Sequence, residues 1–330
     1  MKAKKIVLAL AALTAFSSFA ACTDTDNKIL FYDYWEKNST AHSTINEKLE
    51  YKVTHDRNEA GLDVIGYSLT YGVGSYVTTL KSQGSGYVYT TSLTMPVTYQ
   101  YGTDKAETLT DIVTSEVVFA RSNDQLRPVS SKKSVVSHTP HNSAGVSTKT
   151  CYSLYDFSIE TNYPTEGEAS SVITYKRYKV DPDNTDQLIE ADPVVRSSTF
   201  AFADEDYSCL DNEQLLIALR AIPSSTTMGS FKVHSPFVQA MQKIDFSFQT
   251  ETSAEFSYTL NDLPATTKIA YRPVTLTLDE ANPGATQTAW IATASNPQNN
   301  TYRNVMLKLV TPLSYNLGSL VYELVSITRT

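Results

Sequence analysis

The sequence predicts a mainly β protein: a large antiparallel meander with one helix at about residues 211–222. Three observations predict it. Strand and turn formers dominate, with 21 Tyr among 330 residues, and the long Ala, Leu, Glu and Lys runs that build helices are missing. From Leu62 onward apolar residues recur at alternate positions, the spacing that places them on one face of a strand. Short polar turns separate these stretches, and strand after strand joined by such turns is a meander.

Before the helix, the period-two pattern predicts strands over Tyr67 to Val73, Tyr87 to Tyr101, Ile112 to Ala120, Tyr152 to Glu160, Val172 to Val180 and Val194 to Phe202. Gln83-Gly84-Ser85-Gly86, Asn142-Ser143-Ala144-Gly145 and Asp181-Pro182-Asp183-Asn184 are turn chemistry. Strands resume at Phe231 to Val233, Ile244 to Thr250, Ala254 to Tyr258, Val274 to Leu278 and Ala289 to Ala294. Asn304 to Val310 and Leu317 to Ile327 close the chain as a hairpin, and apolar residues on both faces of Leu320–Val325 predict cover on both sides. Nearer the start, Ile45 and Leu49 at i, i+4 permit a short helix within 36–50. Ile29 to Trp35 is an aromatic patch suited to a first strand or to a segment packing beneath the domain.

The helix rests on a different pattern. Asp211 is a candidate N-cap with Gln214 three residues on, resembling a capping box. Leu215, Leu219 and Ile222 share a face, Leu216 widens the stripe and Pro223 ends it. Such a helix covers a sheet face or plugs the mouth of a curved sheet.

The chain opens with basic Lys2, Lys4 and Lys5, an apolar stretch from Ile6 to Phe19 too short to span a bilayer, and small residues before a cysteine. Phe19-Ala20-Ala21-Cys22 resembles a bacterial lipoprotein signal peptide with its lipobox. The resemblance implies that residues 1–21 are removed and that Cys22 is lipidated on its thiol, a palmitate-type modification, and becomes the first mature residue. The protein is then exported and held at a membrane: the outer membrane where the host has one, otherwise the outer face of the cytoplasmic membrane. Residues 22–28 form a short polar leash, and 29–330 a single β-rich domain.

Loss of three lysines with the signal takes the formal charge from −8 to −11. An acidic exported protein has no electrostatic case for nucleic acid or anionic headgroups. Export permits a Cys151–Cys209 disulfide, but two separate buried thiols are the preferred reading.

No motif carries a reaction. His138-Thr139-Pro140-His141 reads as a pair in a polar loop, since Pro140 opposes a helix-borne zinc pair and a third ligand is lacking. Asp181–Asp186 reads as a solvated hairpin turn: Asp186 stands where a calcium loop needs Gly. Asp204-Glu205-Asp206 solubilises a turn before the helix, and His42, His55 and His234 are isolated. There is no nucleophile elbow and no phosphate loop. The expectation is a non-catalytic protein without metal or cofactor. Tyr87 and Tyr89, and Tyr99 and Tyr101, each point a pair of rings to one strand face.

The body resembles the LolA-like envelope proteins, on three stretches: Val172–Tyr178, the helix ending Leu219-Arg220-Ala221-Ile222-Pro223, and the hairpin from Asn304–Leu309 to Leu320–Leu324. The resemblance implies that the meander curves into an open half-barrel, with an apolar groove that holds an acyl chain or similar ligand. Its candidate lining is Leu215, Leu216, Leu219 and Ile222 from the helix with Leu320, Tyr322 and Leu324 from the last strand. Plain core packing is the alternative for each, and a groove requires the helix to stand off the sheet. A second reading is a structural or interaction lipoprotein that binds a glycan or an envelope protein through Tyr-rich strands. A third is a hydrolase whose carboxylates or loop histidines converge in a pocket.

Overall fold

In the computed structural model the described residues are 29, 45–59, 67–101, 106–122, 125–140, 152–181, 183, 188–204, 207–223, 225–237, 239–277, 286–293, 304–313 and 316–329. Cys22, the signal stretch, Cys151 and His141 therefore lie outside them. The first strands are β1 (Asn46–Arg57), β2 (Tyr67–Tyr71), β3 (Gly74–Gln83), β4 (Gly86–Tyr101), β5 (Glu107–Ser122) and β6 (Gln125–Pro140). β7 (Tyr152–Asn162), β8 (Ala169–Val180), β9 (Leu188–Phe200) and β10 (Ser208–Leu210) lead to a 3-10 turn (Asn212–Gln214) and helix α1 (Leu215–Leu219). After it come β11 (Met228–Ser235), β12 (Ala240–Phe248), β13 (Thr252–Leu260), β14 (Leu263–Thr277), β15 (Gln287–Ala292), β16 (Met306–Pro312) and β17 (Gly318–Arg329).

The fold is mainly β, as the alternation predicts. Strands β3 to β9 pair in chain order, each antiparallel to the last. A second antiparallel series runs β14, β15, β16, β17. β1 joins the two, pairing β17 on one side and β3 on the other. β14 divides its length between β12 and β13, and β12 continues to β11 and a parallel β10. The tip of β13 touches β17 through Thr259–Ser326 and Leu260–Ile327. The sheet curls until β10 lies against β6, so the concave face encloses one core.

Alternation decides what faces that core. Leu49, Tyr51 and Val53 of β1 and Leu93, Met95, Val97 and Tyr99 of β4 are buried at every second position. Burying a side chain of this size contributes about 1.5–3 kcal/mol relative to leaving it exposed.

Four expectations are corrected here. Residues 46–57 are strand β1 rather than part of a helix, because their ladder to β3 and β17 outweighs the i, i+4 pair. The helix is shorter than 211–222: one 3-10 turn and five α residues, whose backbone is satisfied by the following turn. β17 buries one face only; Leu320, Tyr322 and Leu324 are inside, while Glu323 and Val325 face outward. Tyr87, Tyr89 and Tyr99 point into the core and are buried, so these strands carry no exposed strip at those rings.

The turns follow their chemistry. Gly84 takes a positive φ of 57° in the β3–β4 hairpin. Asp181 accepts the Asp183 amide at 2.9 Å in the β8–β9 turn. At the N-terminal side, Ile29 is buried and exchanges two hydrogen bonds with Ser208 of β10, both 3.1 Å.

Candidate functional site

The helix crosses the interior of the curved sheet and is fastened at both ends by buried polar contacts. At its start Asp211 is the N-cap, accepting the Glu213 amide at 2.7 Å. The reciprocal half of a capping box does not form: the Gln214 side chain instead donates to the Leu126 carbonyl of β6 at 2.8 Å. Asp211 also accepts from Ser131 of β6 at 2.6 Å and from the Tyr163 hydroxyl. Burial, then the neighbouring Glu213 charge, raises the Asp211 carboxyl above the usual range despite these donors.

At the helix end Arg220 reaches across to β1. Its guanidinium grips Glu47 at 2.6 and 3.1 Å and donates to the Asn304 carbonyl at 2.7 Å. Arg329 of β17 donates to the same carboxylate, with its Nε at 2.8 Å. Burial alone would push Glu47 up, but the two guanidinium groups outweigh it and hold it at about 2.

Beside the helix lies a cavity of about 100 Å³. Leu215, Leu216, Leu93 and Tyr322 line it together with Tyr76 and Tyr89. The Tyr76 and Tyr89 hydroxyls hydrogen-bond to each other. Burial raises both phenols, Tyr89 to about 12, so they stay protonated. In its wall Lys133 of β6 donates to Glu213 at 2.7 Å, and Asn212 donates to the same oxygen at 2.9 Å.

A second chamber of about 20 Å³ lies on the other side of this pair. Ser131, Thr161, Asp211 and His234 border it. His234 is 1% exposed, lies parallel to Phe200 at 3.5 Å, and neither ring nitrogen has a hydrogen-bond partner among the described residues. Burial lowers it to about 4, so the ring is neutral. The Asn212 side-chain oxygen is likewise buried without a partner among the described residues.

Of the residues expected to line a groove, Leu215, Leu216 and Tyr322 meet at the larger cavity. Leu219, Ile222, Leu320 and Leu324 pack into the core instead. The helix does not stand off the sheet along its whole length, because Arg220 draws its far end against β1.

The histidine pair is also corrected. His138 is not in a polar loop but in β6, buried, with its ring 2.6 Å and its amide 3.0 Å from Asp111. Ser137 donates to the other Asp111 oxygen at 3.3 Å. This cluster ties β5 to β6 and lies apart from both cavities. Asp204 pairs with Lys232 and caps the Tyr207 amide, in keeping with a structural turn. The Cys209 thiol donates to the Tyr207 carbonyl at 3.9 Å; its proposed partner Cys151 is outside the described residues. Among the described residues, no group of three or more His, Cys, Asp or Glu side chains is arranged to hold a metal.

Lys133, Glu213 and His234 were missed by sequence reasoning. Lys133 sits at an inward position of β6, between Ser131 and Val135, where alternation calls for an apolar residue. That polar residue on an inward face is the one signal that could have found it.

No family model matches the chain, and no curated protein matches it. Among solved structures it is similar to the crystal structure of a beta-barrel-like protein of domain of unknown function DUF1849 from Brucella abortus, with 11% identity and a TM-score of 0.43 over 87% of this chain and 98% of that one.

Proposed function

We propose that the chain is a lipid-anchored protein of the bacterial cell envelope that binds a small apolar or amphiphilic ligand without catalysis. The observation that carries this reading is the cavity beside the helix, whose walls combine tyrosine and leucine side chains with the Lys133–Glu213 pair. A pocket with an apolar body and a few convergent polar groups is suited to holding an amphiphile. Its size limits the ligand. A cavity of about 100 Å³ is smaller than the ~150 Å³ that admits a benzene ring. It takes a short apolar group or the end of a longer molecule, not a whole acyl chain.

The anchor rests on Phe19-Ala20-Ala21-Cys22 and the basic and apolar stretch before it. Palmitate fed to the expressing cells labels the wild-type chain and leaves Cys22→Ser unlabelled; label on the variant overturns the anchor. Native mass spectrometry of the full chain tests the cavity. A bound mass on the wild type that is absent from Leu216→Trp, whose indole fills the space, supports the reading, and a clean wild-type mass overturns it.

A further inference from the structure

We propose that the chamber beside His234 is the head-group end of the ligand site, and that it takes a hydroxyl group of an uncharged amphiphile. The inference rests on the binding reading above and names the chemical class of its ligand.

The two cavities have three wall residues in common, Lys133, Asn212 and Glu213. The Lys133–Glu213 pair is therefore a wall that the two chambers share. It is held by a single close ion pair between flexible side chains and by one bond from Asn212. Rotation of the lysine joins the chambers into one site.

The smaller chamber is lined by residues with unused bonding capacity. Both nitrogens of His234 and the Asn212 oxygen are buried without a hydrogen-bond partner among the described residues, and both residues line the chamber. An unmet buried polar group costs about 1–3 kcal/mol, and such groups are scarce in folded proteins. The volume of about 20 Å³ suits one water-sized group, which needs roughly 10–15 Å³.

The unmet atoms select the kind of group. A neutral imidazole presents one N–H and one lone pair, and the Asn212 oxygen only accepts. A hydroxyl both donates and accepts, so it can accept from the imidazole N–H and donate to the Asn212 oxygen at once. A carboxylate or phosphate only accepts, and it would add a negative charge beside Asp211 and Glu213, against the single cation Lys133 that borders the same chamber. An ammonium only donates and leaves the imidazole N–H unmet. The flat stack on Phe200 fixes the ring plane, so the polar edges of His234 cannot turn away.

The test is a titration of the full chain with 1-butanol, butanoate and butylamine at neutral pH. Each has a chain short enough for the larger cavity. Binding is read by calorimetry and by the ring nitrogen shifts of His234. The expected result is 1-butanol at least about tenfold tighter than either charged probe, the difference made by one good hydrogen bond. The His234 resonances move with the alcohol, and His234→Phe narrows the tenfold preference to near unity while still binding the chain. Equal or tighter binding of butanoate or butylamine overturns the hydroxyl assignment and leaves the cavity reading standing. So does alcohol binding that leaves the His234 resonances still. Failure of all three probes to bind overturns both readings.

Discussion

Arg220 and Glu47 meet inside the curved sheet as a two-pronged ion pair, at 2.6 and 3.1 Å, although 173 residues separate them. Both side chains are almost wholly buried. The pair fastens the end of the helix to the start of β1, and Arg329 fastens the same carboxylate to the end of β17. One carboxylate thus ties three distant parts of the chain together beside the strand that joins the two halves of the sheet. Replacing Glu47 with Gln leaves Arg220 buried without its counter-charge. A loss of about 3–5 kcal/mol is expected, measured by urea unfolding.

The same carboxylate sets an acid dependence. Its folded value of about 2 lies below the ordinary 4.5, so the folded state holds the proton more weakly than the unfolded one. The stability is fully present above about pH 4.5 and drains away as pH falls towards 2. A separation of that size corresponds to roughly 3 kcal/mol. Unfolding free energy measured from pH 5 to pH 2 should fall more steeply for wild type than for Glu47→Gln. Parallel curves would show that the pair is not responsible.

The strands whose inward faces are apolar were legible, and those whose inward faces are polar were not. β4 announces itself because Leu93, Met95, Val97 and Tyr99 alternate without a break. β1 does not, because Glu47 occupies an inward position and its partners Arg220 and Arg329 are remote in sequence. β6 fails for the same reason, with Ser131 and Lys133 turned inward towards Asp211 and Glu213. Local pattern misleads where a buried polar group is satisfied by distant residues, and at Ser131 and Lys133 those positions also border the cavities. Of the seven groove candidates, Leu215, Leu216 and Tyr322 border the cavity, and which apolar positions do so depends on where Arg220 pulls the helix.

Core residues of the helix and its cavity-facing residue should respond differently to truncation. Leu219 is 1% exposed and lies in the main core, so Leu219→Ala should cost about 2–5 kcal/mol. Leu216 is half-buried and faces existing space, so Leu216→Ala should cost less and enlarge the cavity. Equal losses in chemical denaturation would mean that the space beside Leu216 is not there.

Gly318 begins β17 at a φ of 100°, a conformation that side chains oppose. A Cβ there would lie 2.0 Å from the Asp56 carbonyl of the paired β1, a backbone atom that cannot step aside. Gly318→Ala should therefore disturb the β1–β17 ladder and lower the Tm. Gly84→Ala should be milder: its φ of 57° is also left-handed, but no atom lies within 4 Å of the added carbon. A Gly318→Ala protein as stable as Gly84→Ala would contradict the close approach.

His234 joins stability to the proposed site. Its folded value of about 4 lies below the ordinary 6.5, so the unfolded chain takes up the proton first. Stability is complete above about pH 6.5, falls as pH drops towards 4, and loses nothing more from this group below that. His234→Phe keeps the stack on Phe200 and removes both unmet nitrogens, so it should stabilise the protein by about 1–2 kcal/mol. The variant should also lose the part of the decline between pH 6.5 and 4 that belongs to this ring. A gain in stability with loss of the alcohol preference is what a residue kept for binding would give, since groups held ready for a ligand cost stability in its absence. A loss of stability in His234→Phe would show instead that the ring is already satisfied in the unliganded protein, and the chamber would then have no bonding capacity to offer.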